Sequence, residues 1–145
     1  NLFVADFIGN PSINLISGRV LAEDEHIQMS FLGHLKWQVT EAEIVKKLAV
    51  VDRDCEVILG VHPEDISLED GQDTNGIPAE IYESEPLGAE TIVSLSLGEN
   101  TEGETIILKV RTSPDFDKAA GQSVSINFDQ KRVLFFDAVT GEAIR

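Results

Sequence analysis

Three histidines (His26, His34 and His62) and one cysteine (Cys55) are the strongest metal ligands in the sequence. No two of the histidines stand three or four residues apart, so none pair on a helix face as a His-Glu-x-x-His zinc site requires. They read as scattered surface residues. A lone cysteine makes neither an internal disulfide nor a four-cysteine zinc site, and it suits a reducing compartment. The acidic pairs Glu64-Asp65 and Glu69-Asp70 have the composition of acid–base catalysts. With no neighbouring base in the sequence, they read as solvated charges. The loop over 70–80 superficially resembles a calcium loop. With Gly76 at the turn position, however, its first ligand is Gly71 and its last Tyr82, and neither carries a carboxylate. No glycine is followed by lysine, which excludes a phosphate-cradling P-loop, and no Gly-x-Ser-x-Gly elbow is present. The expectation is therefore a chain with no catalytic residues, no cofactor-binding residues, no metal ligands and no cofactor.

The charge balance narrows the partners. Lys and Arg total 11 against 26 Asp and Glu, a formal net charge of -15. Such a surface repels phosphate backbones and disfavours an anionic membrane leaflet, so neither nucleic acid nor direct membrane insertion is expected. A nucleic-acid-binding barrel also needs stacking aromatics in a basic groove, and Trp37 is the single tryptophan. No run approaches the roughly 20 apolar residues of a membrane span. The start, Asn1-Leu2-Phe3-Val4-Ala5-Asp6, has no basic region, no long apolar segment and no methionine. It reads as the interior of a longer polypeptide rather than a signal peptide.

The elements that carry these residues follow from periodicity. The 145 residues are 42% hydrophobic and 26% charged, enough for one domain with a real core or for two small interlocked barrels. Residues 1–9 predict a short helix, with Phe3 and Phe7, and Val4 and Ile8, four apart, and with Gly9 and Pro11 as its stop. The period then becomes two. Ile27, Met29 and Phe31, then Leu35, Trp37 and Val39 after Gly33, predict a hairpin. Residues 41–48 predict one or two helical turns capped by Thr40, with Ile44, Val45 and Leu48 on one side. Residues 55–61 predict a buried strand. The polar stretch 69–76 is the expected boundary between halves. Further strands are predicted at 79–83, 91–97, 104–111, 122–128 and 132–136. Many short strands at close spacing imply an all-β fold with a minor α component.

Four segments resemble sugar-type ABC importer ATPases. Phe3-Val4-Ala5-Asp6-Phe7-Ile8-Gly9-Asn10-Pro11-Ser12-Ile13-Asn14 resembles the linker helix that follows their nucleotide-binding domain. Leu59-Gly60-Val61-His62-Pro63-Glu64-Asp65-Ile66 is similar to their Gly-Ile-Arg-Pro-Glu-Asp strand and turn. Glu85-Pro86-Leu87-Gly88-Ala89-Glu90-Thr91 is similar to their Glu-x-Leu-Gly-x-Glu-Thr turn. Phe128-Asp129 and Phe136-Asp137-Ala138-Val139-Thr140-Gly141-Glu142-Ala143-Ile144 resemble their closing strand and tail. The matches stand in the family's order. Physically they are turn and core residues: Pro63 holds Val61-His62 extended, Gly88 supplies a turn, Phe128, Phe135 and Phe136 close a barrel, and Thr140-Gly141 turns Ile144 back. His62 stands where the family has arginine, which puts in question any inter-domain ion pair of that arginine. Ile13 stands where methionine is common, and 41–54 matches no motif of the family.

The resemblance implies tandem OB-like, TOBE-type barrels, with 1–12 a linker helix from a nucleotide-binding domain and 13–145 a regulatory domain. It implies a homodimer, an ATP-hydrolysing domain of the same polypeptide, transmembrane permease subunits met through that polypeptide, and a regulatory protein partner. The place it implies is the cytoplasm, peripheral to the inner face of the cell membrane, in carbohydrate uptake. The alternative is a small-ligand barrel for oxyanions of the molybdate type. Those sites want hydroxyls and backbone amides ahead of a strand, and Ser12-Ile13-Asn14 is the nearest such piece.

Overall fold

The structure, a computed structural model, describes residues 13–23, 26–32, 35–49, 56–71, 76–99, 103 and 105–144. The helix expected over 1–9, and the linker over 1–12, lie outside the described residues. The chain divides into two compact units, one formed by 1–61 with 129–145 and the other by 62–128. Each holds one curled, five-stranded antiparallel sheet, so the fold is the expected all-β, OB-like arrangement with a minor α component.

The first unit is built from β1 (Asn14–Glu23), β2 (His26–Phe31), β3 (Leu35–Val39), α1 (Ala42–Ala49), β4 (Glu56–Val61) and β10 (Leu134–Asp137), with strand order β10-β4-β1-β2-β3. The expected hairpin pairs Ile27 with Val39, Met29 with Trp37 and Phe31 with Leu35, and all six are buried. Leu32 takes a φ of 56° at its turn. α1 buries Ile44 and Leu48. Its cap falls at Glu41, whose carbonyl accepts from Ile44 N and Val45 N, and not at Thr40. The backbone N–H groups of Thr40 and Glu41 are held by Gln130 Oε1 at 2.8 and 2.9 Å, while Gln130 Nε2 donates to Gln38 O at 3.1 Å. This long-range clamp fixes the chain as it enters the helix.

β1 was not among the predicted strands, and Gly18 explains why. Ile16 and Val20 face the core, and Gly18 occupies the inward position between them, so the apolar alternation is interrupted. A Cβ there would stand 2.9 Å from Phe31 Cδ1, 2.9 Å from Ser30 O and 3.0 Å from Met29 Cε. The glycine makes room for side chains that β2 contributes.

The second unit holds a 3-10 turn (Pro63–Asp65), β5 (Ile66–Asp70), β6 (Ile77–Pro86), β7 (Thr91–Glu99), β8 (Thr105–Thr112) and β9 (Ser123–Phe128), in the order β5-β9-β6-β7-β8. β8 lies beside the 3-10 turn and approaches β5, bringing the two ends of the sheet toward one another. Val93, Leu95, Leu108, Val110 and Ile126 are fully buried between its curved walls. The polar stretch after Glu69 joins β5 to β6 inside this unit. The chain crosses between units at Val61/His62 and Phe128/Asp129 instead, so the boundary expected at 69–76 is displaced. Phe128 is buried in the second unit, and Phe135 and Phe136 in the first.

Replacing Gly18 with alanine is expected to destabilise the chain by about 1–3 kcal/mol, because a backbone oxygen cannot swing away as a side chain can. Urea unfolding measures it. A variant within about 0.5 kcal/mol of the parent would mean that β2 yields freely.

Candidate functional site

His62 is extended at φ -73° and ψ 149°, as its position before proline dictates. Pro63 then opens the 3-10 turn and is buried, and Asp65 N donates to His62 O at 2.9 Å. The turn leaves Glu64 exposed and Asp65 half-buried. His62 Nδ1 stands 3.9 Å from Asp65 Oδ2, an ion pair when the imidazole is protonated. His62 thus has a carboxylate neighbour within its own turn.

A second turn approaches the first through β8. Leu87 N donates to Glu90 O at 2.8 Å, and Gly88 takes a φ of 90° that a side chain rarely adopts. Arg111 on β8 reaches both turns, with Nη1 3.8 Å from Glu64 Oε2 and Nε 3.8 Å from Glu90 Oε2. The Pro-Glu-Asp and Leu-Gly-Ala-Glu segments, far apart in sequence, therefore share one arginine. Glu64 is exposed, as expected of a solvated charge, and Arg111 stands beside it. Arg111 was not singled out from the sequence, and no local spacing points to it. Its distance from both partners along the chain makes the constellation a product of folding.

The closing segment forms its own knot in the first unit. Asp137 Oδ1 accepts from Val139 N at 2.8 Å and from Thr140 N at 2.9 Å. Gly141, with φ 71°, donates its N–H to Asp137 O at 2.7 Å. Ile144 N then reaches Phe135 O at 2.8 Å, which is the fold-back expected of Thr140-Gly141. The backbone N–H of Thr140, followed by that of Val139, stabilises the Asp137 carboxylate and holds its pKa below the ordinary 3.8.

Among the described residues, the remaining sequence candidates do not gather. His34 and Cys55 lie outside the described residues, and His26 is described only by its backbone in β2. Glu69 is exposed on β5. Among the described residues, no three His, Cys, Asp or Glu side chains cluster to hold a metal. No helix among them is long and apolar enough to cross a membrane. Of the oxyanion candidates, Ser12 lies outside the described residues. Asn14 is buried and its Nδ2 donates to Val61 O at 3.1 Å, so its amide pins β1 to β4.

The two turns joined by Arg111, and Arg111 itself, fall within 59–136, the residues matched by the TOBE domain family profile. The chain belongs to the TOBE domain family. This TOBE domain is 31% identical, over all of its length, to a putative uncharacterized ABC transporter ATP-binding protein of Escherichia coli K12. It is 32% identical to the multiple sugar-binding transport ATP-binding protein of Streptococcus mutans, again over its whole length. In both cases it spans only 37% of the relative. Among solved structures, the TOBE domain shares its fold with the cytoplasmic molybdate-binding protein ModG, determined with molybdate bound. The TM-score is 0.57 at 17% identity, covering 84% of this chain and 94% of that one.

The Asp137 knot sets a pH dependence. A carboxyl whose folded pKa is depressed contributes stability that is present above its unfolded pKa and lost as pH falls through the folded value. An Asp137→Asn variant keeps an acceptor oxygen but no charge. Its stability deficit is expected to be constant at neutral pH, to shrink as pH falls below 3.8 and to vanish in stronger acid. Urea midpoints across that range test it, and a deficit independent of pH would contradict the assignment.

Proposed function

We propose that this TOBE domain is the carboxy-terminal regulatory and dimerisation region of the ATP-binding subunit of an ABC importer that takes up carbohydrate. One observation carries the reading: the alignment to ABC transporter ATP-binding proteins runs the whole length of this chain while filling 37% of theirs. The sugar assignment follows the relative from Streptococcus mutans, whose name specifies multiple sugar-binding transport. On this reading residues 1–12 link to a nucleotide-binding domain and 13–145 form the regulatory region. The chain itself performs no catalysis, since it has no glycine followed by lysine for a phosphate loop.

The physical role is tethering. Two such regions that hold each other keep their attached ATP-hydrolysing domains at high effective concentration after hydrolysis. A regulatory protein that binds one arrangement better than the other shifts the balance between them. The assembly sits in the cytoplasm, against permease subunits at the inner face of the membrane. An isologous pairing of two chains is the default geometry. With -15 on each chain, it must rest on apolar and neutral polar contacts.

Sedimentation equilibrium tests this on the isolated chain and on its parent subunit with and without residues 13–145. The isolated chain is expected to dimerise more strongly as salt rises from about 0.01 M to about 0.15 M, where the Debye length falls from about 30 to about 8 Å. The parent is expected to hydrolyse ATP with or without the region and to lose nucleotide-independent dimerisation when it is removed. A chain that stays monomeric at both salts, with a parent whose dimerisation survives the deletion, would overturn the proposal.

A further inference from the structure

β6 is paired on both sides only along its first half. Ile77 to Glu80 face Ile126 to Ser123 of β9, and Ile81 exchanges backbone hydrogen bonds with Gln122 and Gly121 at 2.9 and 2.8 Å. Beyond Ile81, β6 runs on to Pro86 with β7 alone beside it among the described residues. Every residue from 82 to 89 is exposed. A strand of five residues with one unpaired side offers roughly 17 Å of backbone donors and acceptors.

The side chains along this edge have a definite pattern. A bulge at Tyr82 puts Glu80, Glu83 and Glu85 in the rows of Ser96, Ser94 and Ile92 of β7, so the three carboxylates share one face. The basic residues of that face, Lys109 and Arg111, stand in the same rows two strands away on β8. Lys109 Nζ donates to Ser94 Oγ at 2.9 Å, and Arg111 faces Glu64 and Glu90. No ion pair among the described residues involves Glu80, Glu83 or Glu85. The open edge is also flanked by two exposed apolar residues, Tyr82 at 63% and Leu87 at 53%. Charge alone would protect an edge from unwanted pairing. Tyr82 and Leu87 add nothing to that protection, and they are the apolar surface a covering strand would bury.

We propose that the open edge of β6 over residues 82–86 is a docking site for a basic, extended segment of a partner protein, which adds to the sheet as a strand. Lysine or arginine at alternate positions of an antiparallel segment would stand opposite Glu83 and Glu85, on the same face. A second copy of this chain does not suit the edge. Two-fold antiparallel pairing about Ser84 would set Glu83 of one copy against Glu85 of the other, and like charges directly opposite are destabilising. The acidity of the whole chain favours approach of the basic segment at low salt. This assignment is independent of the transport reading, and the dimer proposed above must use another face.

The test uses the intact chain and the capped peptide Lys-Val-Lys-Val-Lys, with amide exchange read by NMR. Binding is expected to protect amides within 82–86, and an acidic counterpart with glutamates for lysines is expected not to bind. A peptide N-methylated at the lysines and one N-methylated at the valines should differ, because only one alternate set of N–H groups faces β6. The exposed double variant Glu83→Lys/Glu85→Lys, checked for an unchanged fold by circular dichroism, should bind about tenfold more weakly. No binding, protection elsewhere, or equal binding of both methylated peptides would overturn the proposal. So would protection of 82–86 that rises with protein concentration in the absence of peptide, the mark of a second copy.

Discussion

The pairing of β10 with β4 is the contact on which the first unit depends. The chain leaves that unit at Val61, makes all five strands of the second unit, and returns at Asp129. Only then does Leu134 meet Gly60 and Phe136 meet Ile58, closing a sheet whose other four strands were made long before. Gly60 shows how tight the junction is: a Cβ there would lie 3.2 Å from Phe136 Cε2 and 3.3 Å from Ile13 Cδ1. Phe135 and Phe136 bury their rings, and the Asp137 knot and the Ile144 hydrogen bond fasten the strand from its far end. The long loop this pairing closes costs entropy that grows only slowly with length, so a large intervening unit is tolerated.

Magnitudes decide what holds the corner around Arg111. Its two ion pairs are 3.8 Å long and join side chains 38–54% exposed, so each contributes less than about 1 kcal/mol. Burial of Pro63, the extended His62 and the ladder between β7 and β8 place the turns, and the arginine orients the carboxylates they carry. A framework of this kind holds two turns in place and presents their carboxylates at the surface. That suits a TOBE domain whose relatives are ATP-binding proteins more than twice its length.

Much of this was legible where inward positions carry large side chains. The alternation Ile27, Met29, Phe31 and Leu35, Trp37, Val39 sufficed for the β2–β3 hairpin because each inward position is filled. β1 escaped because Gly18 yields its inward position to Phe31 and Met29, and a missing side chain leaves no period. β5 escaped because only Ile66 and Leu68 of its Ile-Ser-Leu-Glu-Asp are apolar, whereas β3, of the same length, has three apolar residues in alternation. The helix cap falls at Glu41 and not at Thr40, and Gln130, some 90 residues away, holds the backbone N–H groups of both, which no local spacing reveals. The Arg111 cluster and the open edge of β6 are products of strand order. No local spacing encodes that Glu64, Glu90 and Arg111 meet, or that β9 stops pairing with β6 at Glu80.

Amide exchange on a chain truncated after Gln130 bears most directly on the claim that β10 completes the first unit. The account predicts that amides of β4 and β1, which share the lost strand's core, lose their protection. Those of β5 to β9, whose strand partners all lie within 62–128, should keep theirs. Full protection of β4 and β1 in the absence of β10 would contradict it.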